Sequence, residues 1–345
     1  MVKRYKLKDD VLNTSVNEIV EKAEIKPDQF DSVSDLISTS LAMGMQETSQ
    51  RDMIIASASL REIYRTFLVF SNCPEKPRVS VFGSARTKPD DMYYELCFNF
   101  CKKIADKGWM IVSGAGPGIM EAAILGAGPQ NSFGVSIKLP FEPEPIEAIK
   151  NSPYIINYRY FFTRKLAFMK EVQAFVLFPG GFGTMDELFE LLTLVHTGKS
   201  APAPIVLVEK RGGVFWENTL SFIRDNLLAE ENISPEDLNL VSICYKSDEV
   251  LETINNFYKV YHSIRFVNKE LVMRLKSPLT EEFCKMLSEK YEKLIVEGSI
   301  EIIKATEAEV KSNDLIELPR IKFKFDRHKW ALLKMMIDDI NSFEG

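Results

Sequence analysis

A chain of 345 residues exceeds what one hydrophobic core usually fills, so a main domain with additions, or two domains, is expected. Hydrophobic residues make up 46% and charged residues 27%, which excludes a fibrous or disordered chain and fits a soluble globular one. The formal net charge of −6 argues against general nucleic-acid binding, though local basic pockets stay open.

The basic start, Met1 to Lys6, leads into polar and acidic residues, so no secretory signal is read. No stretch nears the ~18 apolar residues of a membrane span. Cys73, Cys97, Cys101, Cys244 and Cys284 are scattered and odd in number, which argues against a disulfide framework and fits a reducing cytoplasm. Cys97 and Cys101 stand one helical turn apart, but no His or second Cys pair completes a metal site, so packing is the expectation.

Residues 10 to 72 read as helical and amphipathic, with Ile54, Ile55, Ala58, Leu60, Ile63 and Phe67 near helical spacing. The run Asn72 to Pro77 breaks that pattern. From Arg78 to Tyr261, short apolar runs (79–82, 110–112, 133–137, 175–178, 205–208, 240–243) alternate with helices near 90–106, 118–127, 161–171, 184–197, 214–228 and 247–260. The alternation predicts a Rossmann-like, doubly wound parallel sheet with binding loops at the carboxyl ends of its strands. Beyond it, a segment Phe266 to Leu275, a helix 281–296, strands near Ile300 and 321–325 and a last helix predict a small α+β appendage. The expected organisation is a helical N-terminal extension (1–77), an α/β nucleotide-binding domain (78–264) and a small C-terminal region (265–345).

Four features carry chemistry. Val81 and Phe82 run into Gly83-Ser84-Ala85-Arg86, where Gly83 and Ser84 let a ligand come close; many strands end this way for steric reasons alone. Gly114-Ala115-Gly116-Pro117-Gly118 opens the next helix and turns backbone N–H groups toward an anion. Its Gly-x-Gly-x-Gly spacing, and Lys138 rather than an acidic residue after the following strand, speak against a dinucleotide site. A tight connection without ligand is the bland alternative.

The strongest signal is Pro179-Gly180-Gly181-Phe182-Gly183-Thr184-Met185-Asp186-Glu187, after a buried-type strand and before a helix. Its glycines relax the turn, Thr184 offers a hydroxyl, and the helix start attracts an anion. A Walker A loop is excluded by the missing Gly-Lys-Ser/Thr ending. Helical phase places Leu188, Leu191, Leu192 and Val195 in the core and Glu187 at its border, with Asp186, Glu190 and Thr193 further round. A place in the first helical turn favours an ionised Glu187, suited to act as base or cation stabiliser. The last feature, Tyr160-Phe161-Phe162-Thr163-Arg164-Lys165, sets two cations behind aromatics; Arg164 offers a fork to phosphate and the rings can stack on a base, although from these residues alone a solvated pair is the better reading.

Together these motifs resemble the LOG family of phosphoribohydrolases, long labelled lysine decarboxylases; the likeness spans about 78 to 261. It implies hydrolysis of the N-glycosidic bond of purine nucleoside 5'-monophosphates, AMP or cytokinin riboside monophosphates, to base and ribose 5-phosphate. It implies Arg164 and Glu187 as catalytic residues. Gly83, Ser84, Gly114, Gly116, Gly118, Glu142, Lys165, Gly180, Gly181, Gly183, Thr184 and Thr193 are the implied nucleotide-binding set. The chain departs from the commonest pattern at Ala115 and Asp186. The resemblance further implies at least a homodimer, and neither a metal nor an organic cofactor is called for. A related group with the same fold carries molybdenum cofactor without hydrolysis, and a nucleotide sensor is a third reading; Arg164 and Glu187 favour the hydrolase.

Overall fold

The structure, a computed structural model, describes residues 5–139 and 145–343. It divides into two compact units, Met1–Phe67 and Leu68–Gly345.

The first unit holds α1 (Asp10–Lys22), α2 (Phe30–Met45) and most of α3 (Gln50–Ser71). Asp9 caps α1 by accepting from the amides of Val11 and Leu12, and Val16 and Val20, one turn apart, are its buried residues. The expected apolar stripe of α3 is corrected in part, because Ile54, Leu60 and Phe67 are exposed. Within the first unit its buried positions are the small Ser59 and Thr66, which bury cheaply because their hydroxyls donate to carbonyls one turn back, and the large Phe70 is buried only past the unit's end.

In the second unit, chain order runs β1 (Arg78–Phe82), α4 (Met92–Asp106), β2 (Met110–Ser113), α5 (Ile119–Ala127), β3 (Ser132–Ile137), α6 (Glu147–Lys150) and β4 (Ile155–Tyr158). It continues with α7 (Phe161–Lys170), β5 (Ala174–Leu177), α8 (Phe182–His196), β6 (Ile205–Val208), α9 (Phe215–Phe222), β7 (Val241–Cys244) and α10 (Ser247–Phe257). The seven strands form one parallel sheet in the order β4-β3-β2-β1-β5-β6-β7. Strands β1, β2 and β5 are buried throughout, as two covered faces require. Cys97 and Cys101 lie on the core face of α4, fully buried. Strand β4 escaped the sequence reading because it is a four-residue edge strand with alternating burial, too short to stand out. The single helix expected over 214–228 widens after Phe222 into a π-helix, Ile223–Leu228.

A second sheet follows, built from β8 (Tyr261–Val267), β9 (Glu270–Leu275), α11 (Glu281–Lys290), β10 (Ile295–Ile303), α12 (Glu307–Ser312), β11 (Arg320–Phe325) and α13 (Trp330–Ser342), with antiparallel strand order β10-β11-β9-β8. The segment Phe266 to Leu275 carries the turn of the β8–β9 hairpin: Asn268 and Lys269 both take positive φ (49° and 72°), the mark of a two-residue turn usually written with a glycine. Glu309, wholly buried, binds both Arg274 and Arg320 and fastens α12 to this sheet. Among the described residues no helix is long and apolar enough to cross a membrane.

Candidate active site

The sheet order reverses between β1 and β5, and the crevice at such a switch point is where open α/β sheets bind ligands. Both loops that border it are glycine turns. They are tied together: the Phe178 amide donates to the Phe82 carbonyl (2.9 Å), Ser84 to Pro179 (3.2 Å) and Ile119 to Ser84 (3.1 Å), so the turns after β1 and β5 and the start of α5 act as one frame.

Two glycines are fixed by that frame. Gly118 holds φ 72°, and a Cβ there would run into the Ser84 carbonyl oxygen and come within 2.8 Å of the Ala85 carbonyl carbon. Gly118→Ala is therefore expected to cost about 2 kcal/mol or more, read as a lowered midpoint in chemical denaturation. Gly180 has no room either, because a Cβ would meet the Thr184 hydroxyl and lie 3.0 Å from the Ser84 amide nitrogen.

A cavity of about 990 Å³ opens over this frame. Gly83, Ser84, Gly114, Gly116, Gly180, Gly181, Gly183, Thr184, Arg164 and Glu187 all line it. Helix α8 begins at Phe182, so its free amides face the cavity from Gly183 and Thr184, an anion seat of backbone donors. The guanidinium of Arg164 is set from two sides: its Nε donates to the Val135 carbonyl (2.8 Å), and its plane lies over the Phe168 ring (5.2 Å). Gly114 leaves the space for it, since a Cβ there would come within 2.6 Å of an Arg164 terminal nitrogen.

Glu187 departs from the expectation of a fully ionised carboxylate. With α8 starting at Phe182, it falls in the second turn, where the helix dipole has faded. Burial pushes its pKa up to about 7; Arg164 and Lys165 pull it down, and Asp186 adds to the rise. The group is thus close to half ionised near neutrality, which suits a base or acid.

The remaining expected residues are placed elsewhere. Lys165 does not line the cavity: its ammonium binds Asp186 and Glu190, both at 2.8 Å, and although burial opposes its charge these bonds hold its pKa above the usual lysine range. The pairing fastens α7 to α8, and with them Arg164 to Glu187. Thr193 lies two turns beyond Glu187 on an exposed face, its hydroxyl returned to the Phe189 carbonyl (2.7 Å). Gly118 serves as the N-cap of α5 rather than lining the cavity. Glu142 lies outside the described residues. Tyr160 and Phe162 stack on one another (5.6 Å), leaving Phe161 at the cavity wall.

Sequence reasoning missed Phe168, Phe215 and Thr219, which also line the cavity. Phe215 and Thr219 open the helix after β6, and their place at a strand's carboxyl end was the available signal.

A family model described as "Possible lysine decarboxylase" matches residues 91–254. A probable cytokinin riboside 5'-monophosphate phosphoribohydrolase of Oryza sativa subsp. japonica is 25% identical over 189 residues, 54% of this chain and 86% of the relative. A cytokinin riboside 5'-monophosphate phosphoribohydrolase of Arabidopsis thaliana is 30% identical over 94 residues, 27% of this chain and 42% of the relative. Among solved structures, the molybdenum cofactor binding protein of Rippkaea orientalis aligns with 53% of this chain and 98% of its own, at 20% identity and a TM-score of 0.37. The glycine turns gather at the switch point of a parallel sheet, and across that region the α/β part of this chain is similar in sequence to the LOG family.

Proposed function

We propose that this protein hydrolyses the N-glycosidic bond of purine nucleoside 5'-monophosphates, AMP or a cytokinin riboside monophosphate, releasing the free base and ribose 5-phosphate. The observation that carries this reading is the meeting of Glu187 and Arg164 in one cavity whose floor is a frame of glycine turns. The 5'-phosphate sits on the backbone donors at the start of α8, and this binding energy positions the sugar. As the bond from C1' to the base nitrogen breaks, positive charge grows on the sugar. The ionised Glu187 stabilises it and takes a proton from the attacking water, whose oxygen bonds to C1' while the departing base nitrogen gains a proton. Arg164 holds anionic charge of the substrate beside Glu187. Phe161, Phe182 and Phe215 offer flat apolar surface to a purine.

Incubation with AMP and other nucleoside monophosphates, followed by chromatography, tests the reading: free base with ribose 5-phosphate is expected. Nucleotide bound but returned intact would overturn it in favour of a carrier or sensor. Because the ionised Glu187 is the working form, kcat/KM is expected to rise with pH through about 7 and to level above it. A profile that falls across that range would assign the protonated form instead.

We also propose at least a dimer, supported by the nearly complete exposure of Phe182 beside the cavity; light scattering on the purified protein checks it, and a monomer would refute it.

A further inference from the structure

Glu209, directly after β6, is wholly buried. Its carboxyl accepts from the Tyr93 hydroxyl and the Lys210 amide (3.1 Å) through one oxygen, and from the Trp216 amide (3.1 Å) through the other. Trp216 is the second residue of α9, so its amide is one of the four that a helix leaves unpaired at its start. The local N-cap position, Val214, has no side chain able to accept it, and Glu209 supplies the cap from across the loop. The loop is shaped to allow this: Gly212 takes φ 75°, and a Cβ on Gly213 would run into the Glu209 carboxylate.

Two further contacts fix the arrangement. The Trp216 indole donates to the Val208 carbonyl (2.9 Å), which pins the first turn of α9 to β6. Burial and the neighbouring carboxylate push the Tyr93 phenol well above its usual pKa, so it stays a donor, and the Lys210 ammonium covers its ring at 4.9 Å. What this cap holds in place is the pair of residues that α9 brings to the cavity, Phe215 and Thr219. None of the groups proposed for phosphate binding or bond cleavage touches it.

We infer that Glu209, held by Tyr93, is a positioning residue that caps α9 from a distance and so sets Phe215 and Thr219 against the base of a bound nucleotide, governing base affinity without affecting phosphate affinity or bond cleavage. The inference rests on the nucleotide-hydrolase reading for its ligand. It predicts that Glu209→Gln, which keeps reach but loses the carboxylate charge and turns one acceptor into a donor, raises KM for AMP about tenfold while kcat stays within about twofold. Inhibition by ribose 5-phosphate, which lacks the base, is expected to stay unchanged. Tyr93→Phe should show the same pattern more weakly.

A cycle with Phe215→Ala separates positioning from general damage. If Glu209 acts through Phe215, the double variant loses little more than Phe215→Ala alone. Additive losses, an equal fall in ribose 5-phosphate affinity, or an unchanged KM would each overturn the inference. Should the unaltered protein bind AMP without cleaving it, the hydrolase reading fails while this one is still decided, by calorimetric Kd for AMP against that for ribose 5-phosphate in the same variants. Should Glu209→Gln not fold, Tyr93→Phe and Phe215→Ala carry the same comparison.

Discussion

Glu187→Gln is expected to lower kcat by about a thousandfold, with KM for the nucleotide changed far less, since the amide fits the same space but can neither take a proton nor face a cationic sugar with negative charge. The same variant carries a built-in control for folding. The folded-state pKa of Glu187 is raised from 4.5 to about 7, so the folded protein favours the protonated form. As pH rises from about 4.5 through 7, the unaltered protein must ionise a half-buried carboxyl and loses stability, while the glutamine does not. The variant is therefore expected to melt at or near the unaltered protein's temperature around pH 4.5 and above it at pH 8. Full activity in Glu187→Gln would remove this residue from the chemistry. A lower melting temperature at pH 8 would trace the lost activity to damaged folding.

The second large effect is expected from Arg164→Ala, a loss of about a hundredfold or more in kcat/KM. Arg164 also lowers the pKa of its neighbour, so its removal should carry the rising limb of the pH profile above about 7 in whatever activity remains. Arg164→Lys should recover little, because the guanidinium is held through its Nε on the Val135 carbonyl and its plane over Phe168, neither of which an ammonium reproduces. An alanine variant with unchanged kcat/KM and an unshifted profile would contradict the role given to Arg164.

Most of the cavity floor was legible in advance because it is made of backbone. Gly114, Gly116, Gly180, Gly181 and Gly183 announce themselves by residue type alone, and each follows an apolar run that reads as a strand. Arg164 and Glu187 were legible through their motif spacing in the LOG resemblance, and the fold brings both to the same cavity. Lys165 stands outside the cavity lining for a physical reason that its motif does not show: two carboxylates on the neighbouring helix hold its ammonium. Glu209 drew no attention, since a lone acidic residue in a loop carries no local signal of being capped around and buried.

The sequence by itself determined the alternation of strands and helices, the positions of the glycine turns and the resemblance to the LOG family, because these depend on residue type and short-range spacing. The tertiary structure alone decided the charge state of Glu187, the partners of Lys165 and the remote cap on α9. Burial and pairing of a charged group depend on what other segments place around it, and here those segments lie on separate strands and helices.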